Sequence, residues 1–185
     1  MSSNETAFIG LGSNEGDRTV NIEEAVRRIG ETHGINLLAV SPLYETSPVD
    51  VNGGPFINAV AMIETKKDPR HLMDDLLRIE SEMGRVRSGS LPMSRAIDID
   101  LLLYGERVIG ERGLSLPHPR MADRRFVLEP LADLAADLRI PVSGRTVAET
   151  AAILKDRHPE QKVERVGNLK EFSSLARSEN AVEQP

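Results

Sequence analysis

Two carboxylates stand two residues apart inside an apolar run, in the stretch Ser94–Gly105, SRAIDIDLLLYG. Flanked by Ile97, Ile99, Leu101, Leu102 and Leu103, Asp98 and Asp100 read as part of a strand. Side chains alternate along a strand, so both carboxylates point to one face while Ile97, Ile99 and Leu101 point into a core. Like charges so close repel, and burial sharpens the repulsion. Such a pair persists if one carboxyl is protonated, if the face is solvated, or if a cation lies between them. For an isolated D-x-D the plainest of these is the solvated outer face of an edge strand, so the neighbouring residues must decide.

Several of those neighbours carry chemistry. The segment GRVRSGSLPMSR places Arg85, Arg87 and Arg95 just before the carboxylates. Arginine forks bind phosphate bidentately, so this combination suits a polyphosphate with a bridging metal; three solvated charges on a linker are the simpler alternative. The segment PHPRMADRRF adds His118, Arg120, Arg124 and Arg125. Phe56 and Asn58 share strand parity after a long Pro/Gly loop, an aromatic and an amide that suit a flat heterocycle, or else a core Phe beside a solvent-facing Asn. GLGSNEG, Gly10–Gly16, follows a strand but has neither the G-x-G-x-x-G nor the G-x-x-x-x-G-K-[ST] spacing. Gly12 therefore reads as a tight turn before a helix, with Asn14 within reach of a ligand.

The elements that must position these residues follow from periodicity. Strands are predicted over Thr6–Ser13, Ile35–Thr46, Pro55–Thr65 and the D-x-D segment. Helices are predicted over Asp17–Gly34 and Asp68–Gly84, the second with Asp68 as N-cap and Pro69 in its first turn. The order β-α-β-β-α-β is that of an α+β, ferredoxin-like antiparallel sheet with both helices on one face. Arg107–Ile109 is expected to pair back onto the D-x-D strand, followed by a loop, C-terminal helices over Phe126–Leu138 and Thr146–Arg157, and a short strand in QKVERVG. A single domain over residues 1–170 with a disordered tail over 171–185 is expected.

Composition narrows the function. A net charge of -6 argues against non-specific nucleic-acid binding, and the absence of Cys excludes disulfides and thiolate chemistry. With no signal peptide or bilayer-length apolar run in view, a cytoplasmic protein without membrane association is expected.

These blocks together resemble the 6-hydroxymethyl-7,8-dihydropterin pyrophosphokinase family of folate biosynthesis. The similarity runs through AFIGLGSNEGD, SPLYETSPV, PFINAV, GRVR, RAIDIDLLLYG and LPHPRMADRRFVLEPL, from Ala7 to about Leu138. It implies transfer of pyrophosphate from ATP to the pterin hydroxymethyl group with release of AMP, by a monomer whose substrates are ATP and the pterin. It implies Asp98 and Asp100 as ligands of two Mg²⁺ ions arriving with ATP, and Arg85 and Arg95 as supports of the transferring group. Arg87, Leu101, Ser115, His118 and Arg124 match positions that contact ATP. Phe56 and Phe126 match the aromatics that sandwich the pterin, Asn58 the amide that reads its edge, and Thr46, Ser47 and Val49 the loop completing that site. ATP is expected to bind first, with loops closing afterwards. One departure stands out: in LPMSR, Pro92 occupies a position often held by Trp and Ser94 one held by Pro, which implies altered closure over an otherwise intact site.

Other readings are a catalytically weakened pterin- or ATP-binding paralogue, a different two-metal phosphotransferase on a similar sheet, and a nucleic-acid-binding ferredoxin-like module. The last would need exposed aromatics on the sheet flanked by Lys and Arg, which FIGLGS and DIDLLLY do not supply.

Overall fold

The first strand, β1 (Glu5–Ser13), sits inside the sheet, between β4 (Phe56–Thr65) and β5 (Asp98–Tyr104). This is a computed structural model, which describes residues 3–46, 54–84 and 96–169. The expectations for Ser47, Val49, Arg85, Arg87, Arg95, the Leu91–Ser94 segment and the 171–185 tail lie outside the described residues.

Alternation explains the layering, with one irregularity between β1 and β5 at Phe8/Ile9 that sends Leu101 and Leu103 to opposite faces. Ile9, Leu11, Ile99 and Leu101 face one side of the sheet, where α1 (Arg18–Glu31) brings Ile22, Val26 and Ile29, and α2 (Pro69–Glu82) brings Leu72, Leu76 and Ile79. Phe8, Val60 and Leu103 face the other side, under α3 (Arg125–Ala135) and α4 (Val147–Arg157). The α+β, ferredoxin-like arrangement is therefore present, with α1 and α2 on one face and the C-terminal helices on part of the other. The caps follow the sequence: Asp68 accepts from Arg70 N with Pro69 behind it, and Thr146 and Glu149 form a reciprocal capping box.

The strand predicted over Ile35–Thr46 is two strands, β2 (Ile35–Val40) and β3 (Leu43–Thr46), both antiparallel to the long β4. The interruption falls at Ser41-Pro42. Proline offers no N–H to a ladder. Ser41 compensates locally: its N–H donates to Val60 O at 2.8 Å, and its Oγ accepts from Val60 N at 2.9 Å. The short strand in QKVERVG is present as β8 (Val163–Gly167), which pairs with β3 at the sheet edge.

The region after β5 departs from expectation. Arg107–Ile109 does not pair back onto β5. Instead β6 (Ile109–Glu111) forms a separate ribbon with β7 (Leu114–Leu116), turning at Gly113 with φ +79°. The predicted loop thus contains β7 and a short 3₁₀ turn at Met121–Asp123. The physical reason lies in β7: Leu114 and Leu116 are buried in the core shared with α1 and α2, an anchor that a free loop would lack.

Val142 is the one described non-glycine residue with a left-handed backbone, φ 72°, and its side chain is 85% exposed. A β-branched residue is strained there, while Asn tolerates the region. Val142→Asn is expected to stabilise the protein by about 1 kcal/mol, because strain is removed and no packing is lost. Urea unfolding of the two proteins checks this: an unchanged midpoint would mean that the strain is relaxed in solution.

Candidate active site

The face opposite α1 and α2 brings the sequence candidates together through strand register. Asp98 of β5 pairs with Gly12 of β1, Gly12 pairs with Asn58 of β4, and Asn58 pairs with Tyr44 of β3. One row behind, Asp100 pairs with Gly10 and Gly10 with Val60. Neighbouring strands lie about 4.8 Å apart, so Asp98 and Asn58 are about 10 Å apart across a glycine.

Gly12 is therefore not a turn residue. It lies in regular β1, and its value is the missing side chain: a Cβ there would meet Asn58 Oδ1 at 3.1 Å and Phe56 Cδ1 at 3.8 Å. The alternation of Gly10 and Gly12, with the same parity as the carboxylates once β1 and β5 are paired, is the signal that reading β1 alone could not interpret.

Asn58 is 4% exposed, and its Nδ2 donates to Thr46 Oγ1 at 2.8 Å. Thr46, itself buried, thereby fixes the amide so that Oδ1 looks toward Gly12. Phe56 shares this face by parity. Arg18 ties together the chain at both ends of residues 47–53: its Nη1 donates to Pro55 O at 2.8 Å, and its Nη2 pairs with Glu45 at 2.9 Å.

The wall over the sheet is α3 and the segment leading into it. Tyr44 Oη donates to Asp133 Oδ2 at 2.6 Å and so joins the floor to α3, with burial first, and then the Asp133 bond, pushing the phenol pKa up. Phe126 is half-buried on α3, and the Arg124 guanidinium lies 5.3 Å from its ring centroid. The same Arg124 reaches toward Asp100, Nη1 to Oδ2 at 3.9 Å. On its other side Asp100 faces His118, Oδ1 to Nε2 at 3.9 Å. His118 is docked by its backbone, whose N–H donates to Leu102 O at 2.8 Å. Its Nδ1 accepts from Arg120 N at 3.3 Å, so the neutral ring carries its proton on Nε2, facing Asp100.

The electrostatics set the two carboxylates against each other. Asp100 keeps 35% of its side-chain surface in solvent, yet burial in the cleft and then the Asp98 charge push its pKa up, against the pull of His118, Arg124 and Arg120. Burial pushes the His118 pKa down, against the pull of Asp100. Two hard carboxylate oxygens facing one way, with a repulsion that a cation would relieve, fit a divalent ion. Among the described residues no cluster of three or more His, Asp or Glu could hold a metal unaided. Two carboxylates leave coordination positions to water and phosphate, as Mg²⁺ prefers.

Three further candidates are placed by their own elements. The Leu101 side chain is 3% exposed in the core under α1 and α2, on the face opposite the carboxylates, so any contact it makes with ATP runs through its backbone. Ser115 is exposed on β7, opposite Gly110, with β7 lying beside β5. Arg125 faces away from the cleft: it is buried, bonded to Glu129 and to the carbonyls of His158 and Gln161, and holds the segment after α4 against α3. Reading β1 and α2 by themselves also passed over Ser13 and Glu80, buried polar residues beside the carboxylate strand.

Comparison with known proteins adds an independent line. Residues 8–136 match the sequence model of the family described as 7,8-dihydro-6-hydroxymethylpterin-pyrophosphokinase. A 2-amino-4-hydroxy-6-hydroxymethyldihydropteridine pyrophosphokinase of Haemophilus influenzae is 40% identical over 139 residues, covering 75% of this chain and 86% of that protein. The protein of the same name from Pseudomonas aeruginosa is 40% identical, covering 80% of this chain and 91% of its own length. The folic acid synthesis protein fol1 of Pneumocystis carinii is also 40% identical, over 78% of this chain, but the chain spans only 20% of that longer protein. Among solved structures, a Plasmodium falciparum HPPK-DHPS crystal structure superposes with a TM-score of 0.70 at 16% identity, covering 86% of this chain and 46% of that one. No helix among the described residues is long and apolar enough to cross a membrane.

Proposed function

The chain belongs to the 7,8-dihydro-6-hydroxymethylpterin-pyrophosphokinase family, and we propose that it transfers the terminal pyrophosphoryl group of ATP to the hydroxymethyl group of 6-hydroxymethyl-7,8-dihydropterin, releasing AMP, in folate biosynthesis. The observation that carries this reading is the row Asp98–Gly12–Asn58 on one open face. It sets a carboxylate pair suited to a metal-bound triphosphate about 10 Å from an amide suited to a heterocycle, with no side chain between.

In the reaction the hydroxymethyl oxygen forms a bond to the β-phosphorus. The bond from that phosphorus to the α,β-bridging oxygen breaks, and AMP leaves with the oxygen. The hydroxyl proton passes to solvent. Asp98 and Asp100 would hold Mg²⁺, which would neutralise the triphosphate and acidify the attacking hydroxyl. Asn58 Oδ1, turned by Thr46, accepts a hydrogen bond from the edge of the pterin, and Phe56 and Phe126 flank its ring. Arg124 serves both ends: it stacks near Phe126 and lies close enough to Asp100 to meet a phosphate. His118, neutral with its proton on Nε2, donates to ATP. Ser115 and the backbone of Leu101 line the nucleotide end. The arginines at 85, 87 and 95 and the residues at 47 and 49 complete the two ends of the site in this reading.

The test is to incubate the protein with Mg-ATP and the pterin and to measure AMP and the pterin pyrophosphate. AMP formed only when the pterin is present is the expected result. Pterin bound tightly beside an ATP analogue but without AMP would identify a binding paralogue. ATP cleaved to pyrophosphate with a transferred nucleotidyl group would identify a different phosphotransferase.

A further inference from the structure

We propose that Ser13 and Glu80 are positioning residues that grip the main chain on either side of Asp98 and so hold the carboxylate pair in register for the metal-bound triphosphate; this rests on the function proposed above. Among the described residues β5 lies at the edge of the main sheet, beside β1. Edge backbone is ordinarily satisfied by water and frays easily. Here it is not left to water. Ile99, between the two carboxylates, turns its N–H away from β1, and Glu80 Oε1 of α2 accepts it at 2.7 Å. Glu80 is 1% exposed. A buried carboxylate oxygen at this distance fixes the position of the Ile99 N–H, and with it the strand between the two carboxylates.

The second grip lies on the other side of Asp98. Ser13, at 0% exposure, donates its hydroxyl to Ala96 O at 2.6 Å. Ser13 Oγ in turn accepts from Asn21 Nδ2 at 3.1 Å, and Asn21 also donates to Glu15 O at 2.9 Å. One hydroxyl thus links α1, the end of β1 and the residue two before Asp98. With the pairing of Asp98 to Gly12, the chain over 96–99 is held at three points from two elements, α2 and β1, and Asn21 of α1 steadies the Ser13 hydroxyl. Geometry of this precision matters most where two metal-facing oxygens must keep their spacing.

The test uses the full chain and the variants Glu80→Met, Glu80→Gln and Ser13→Ala. Three quantities are read: amide exchange of Ile99 by NMR without ligands, binding of Mn²⁺ together with a non-hydrolysable ATP analogue by EPR, and kcat against KM for the pterin. Glu80→Met is expected to speed Ile99 exchange at least tenfold. It should weaken Mn²⁺–analogue binding and lower kcat by roughly tenfold or more, with KM for the pterin within about twofold. Ser13→Ala is expected to move Mn²⁺ binding and kcat in the same direction. Glu80→Gln, which keeps an acceptor for Ile99, should stay within about threefold of the parent protein.

Folded variants with unchanged Mn²⁺ affinity and kcat would overturn the proposal. So would a Glu80→Gln protein as impaired as Glu80→Met, because the carboxylate charge, and not the acceptor for Ile99, would then be what matters. Should Glu80→Met not fold, the Gln variant and Ser13→Ala decide. Absence of AMP from the parent protein would defeat the functional reading separately, and exchange and Mn²⁺ binding would still judge the grip.

Discussion

Asp100→Asn is expected to produce a protein that is more stable without ligands and roughly a thousandfold slower in turnover. The two effects have one origin. In the free protein Asp100 is pushed toward its neutral form by burial and by Asp98, more strongly than His118, Arg124 and Arg120 pull it back. A group whose carboxyl pKa is raised on folding binds more protons in the folded state. Its contribution to stability is therefore fully present below the ordinary carboxylate range, from about 3.8, and is lost as pH rises through the raised value. An amide does not titrate and keeps that contribution. At pH 7 to 8 the gain is small, because solvent screens a side chain that keeps 35% of its surface exposed, and it should read as a rise in Tm of about 1–3 °C.

The gain should shrink on acidification and vanish only below the ordinary carboxyl value of 3.8, where the group is protonated in the folded and the unfolded chain alike. Removing the carboxylate also removes the interaction that raises the His118 pKa, so His118 should titrate still lower in the variant. Thermal unfolding of both proteins from pH 4 to 8, with AMP release measured at pH 8, checks the pair of effects. A destabilised variant at pH 8 would show that His118 and Arg124 already satisfy Asp100 without a cation. A variant turning over near the parent rate would remove Asp100 from the metal site.

The second large effect is expected from Gly12→Val. Its backbone lies in regular β1, where a β-branched residue is favourable, so the fold should form. Its side chain would project onto the open face between Asn58 and Asp98. The Cβ alone comes within 3.1 Å of Asn58 Oδ1, and the branches extend toward Phe56. Pterin affinity should fall roughly a hundredfold, as the added atoms displace the amide or take the ring's place. Nucleotide binding should fall much less, since Asp100 lies one row behind, opposite Gly10. Calorimetric titration with an ATP analogue, with and without the pterin, separates the two losses. Equal loss of both ligands would mean that β1 has shifted as a whole. Undiminished pterin binding would place the heterocycle elsewhere on the face.

Much of this arrangement was legible from local chemistry. Period-two alternation put Asp98 and Asp100 together and sent Ile97, Ile99 and Leu101 to the core, where all three are found. Period-3.6 spacing with Asp68 and Pro69 at its start located α2. These features depend on a residue and its neighbours within one or two turns, and sequence carries that information directly.

What the sequence could not supply was register between strands distant in the chain. Gly12 looked like a turn because only pairing with Asn58 and Asp98 reveals it as a deliberate gap. The break at Ser41-Pro42 was hidden because β2 and β3 both carry apolar residues and both lie along β4. The ribbon of β6 and β7 depends on a core contact with elements far upstream, which no local pattern announces. Arg125 looked like one more cation for the site, but the carbonyls that hold it come from residues 158 and 161. Sequence by itself thus determined the kind of chemistry, the family resemblance and the alternating faces, because those are properties of residue type and short spacing. Tertiary structure alone decided which groups meet across the sheet, which backbone edges are gripped and which charges are absorbed elsewhere, because pairing, burial and repulsion arise only when segments far apart in the chain come together.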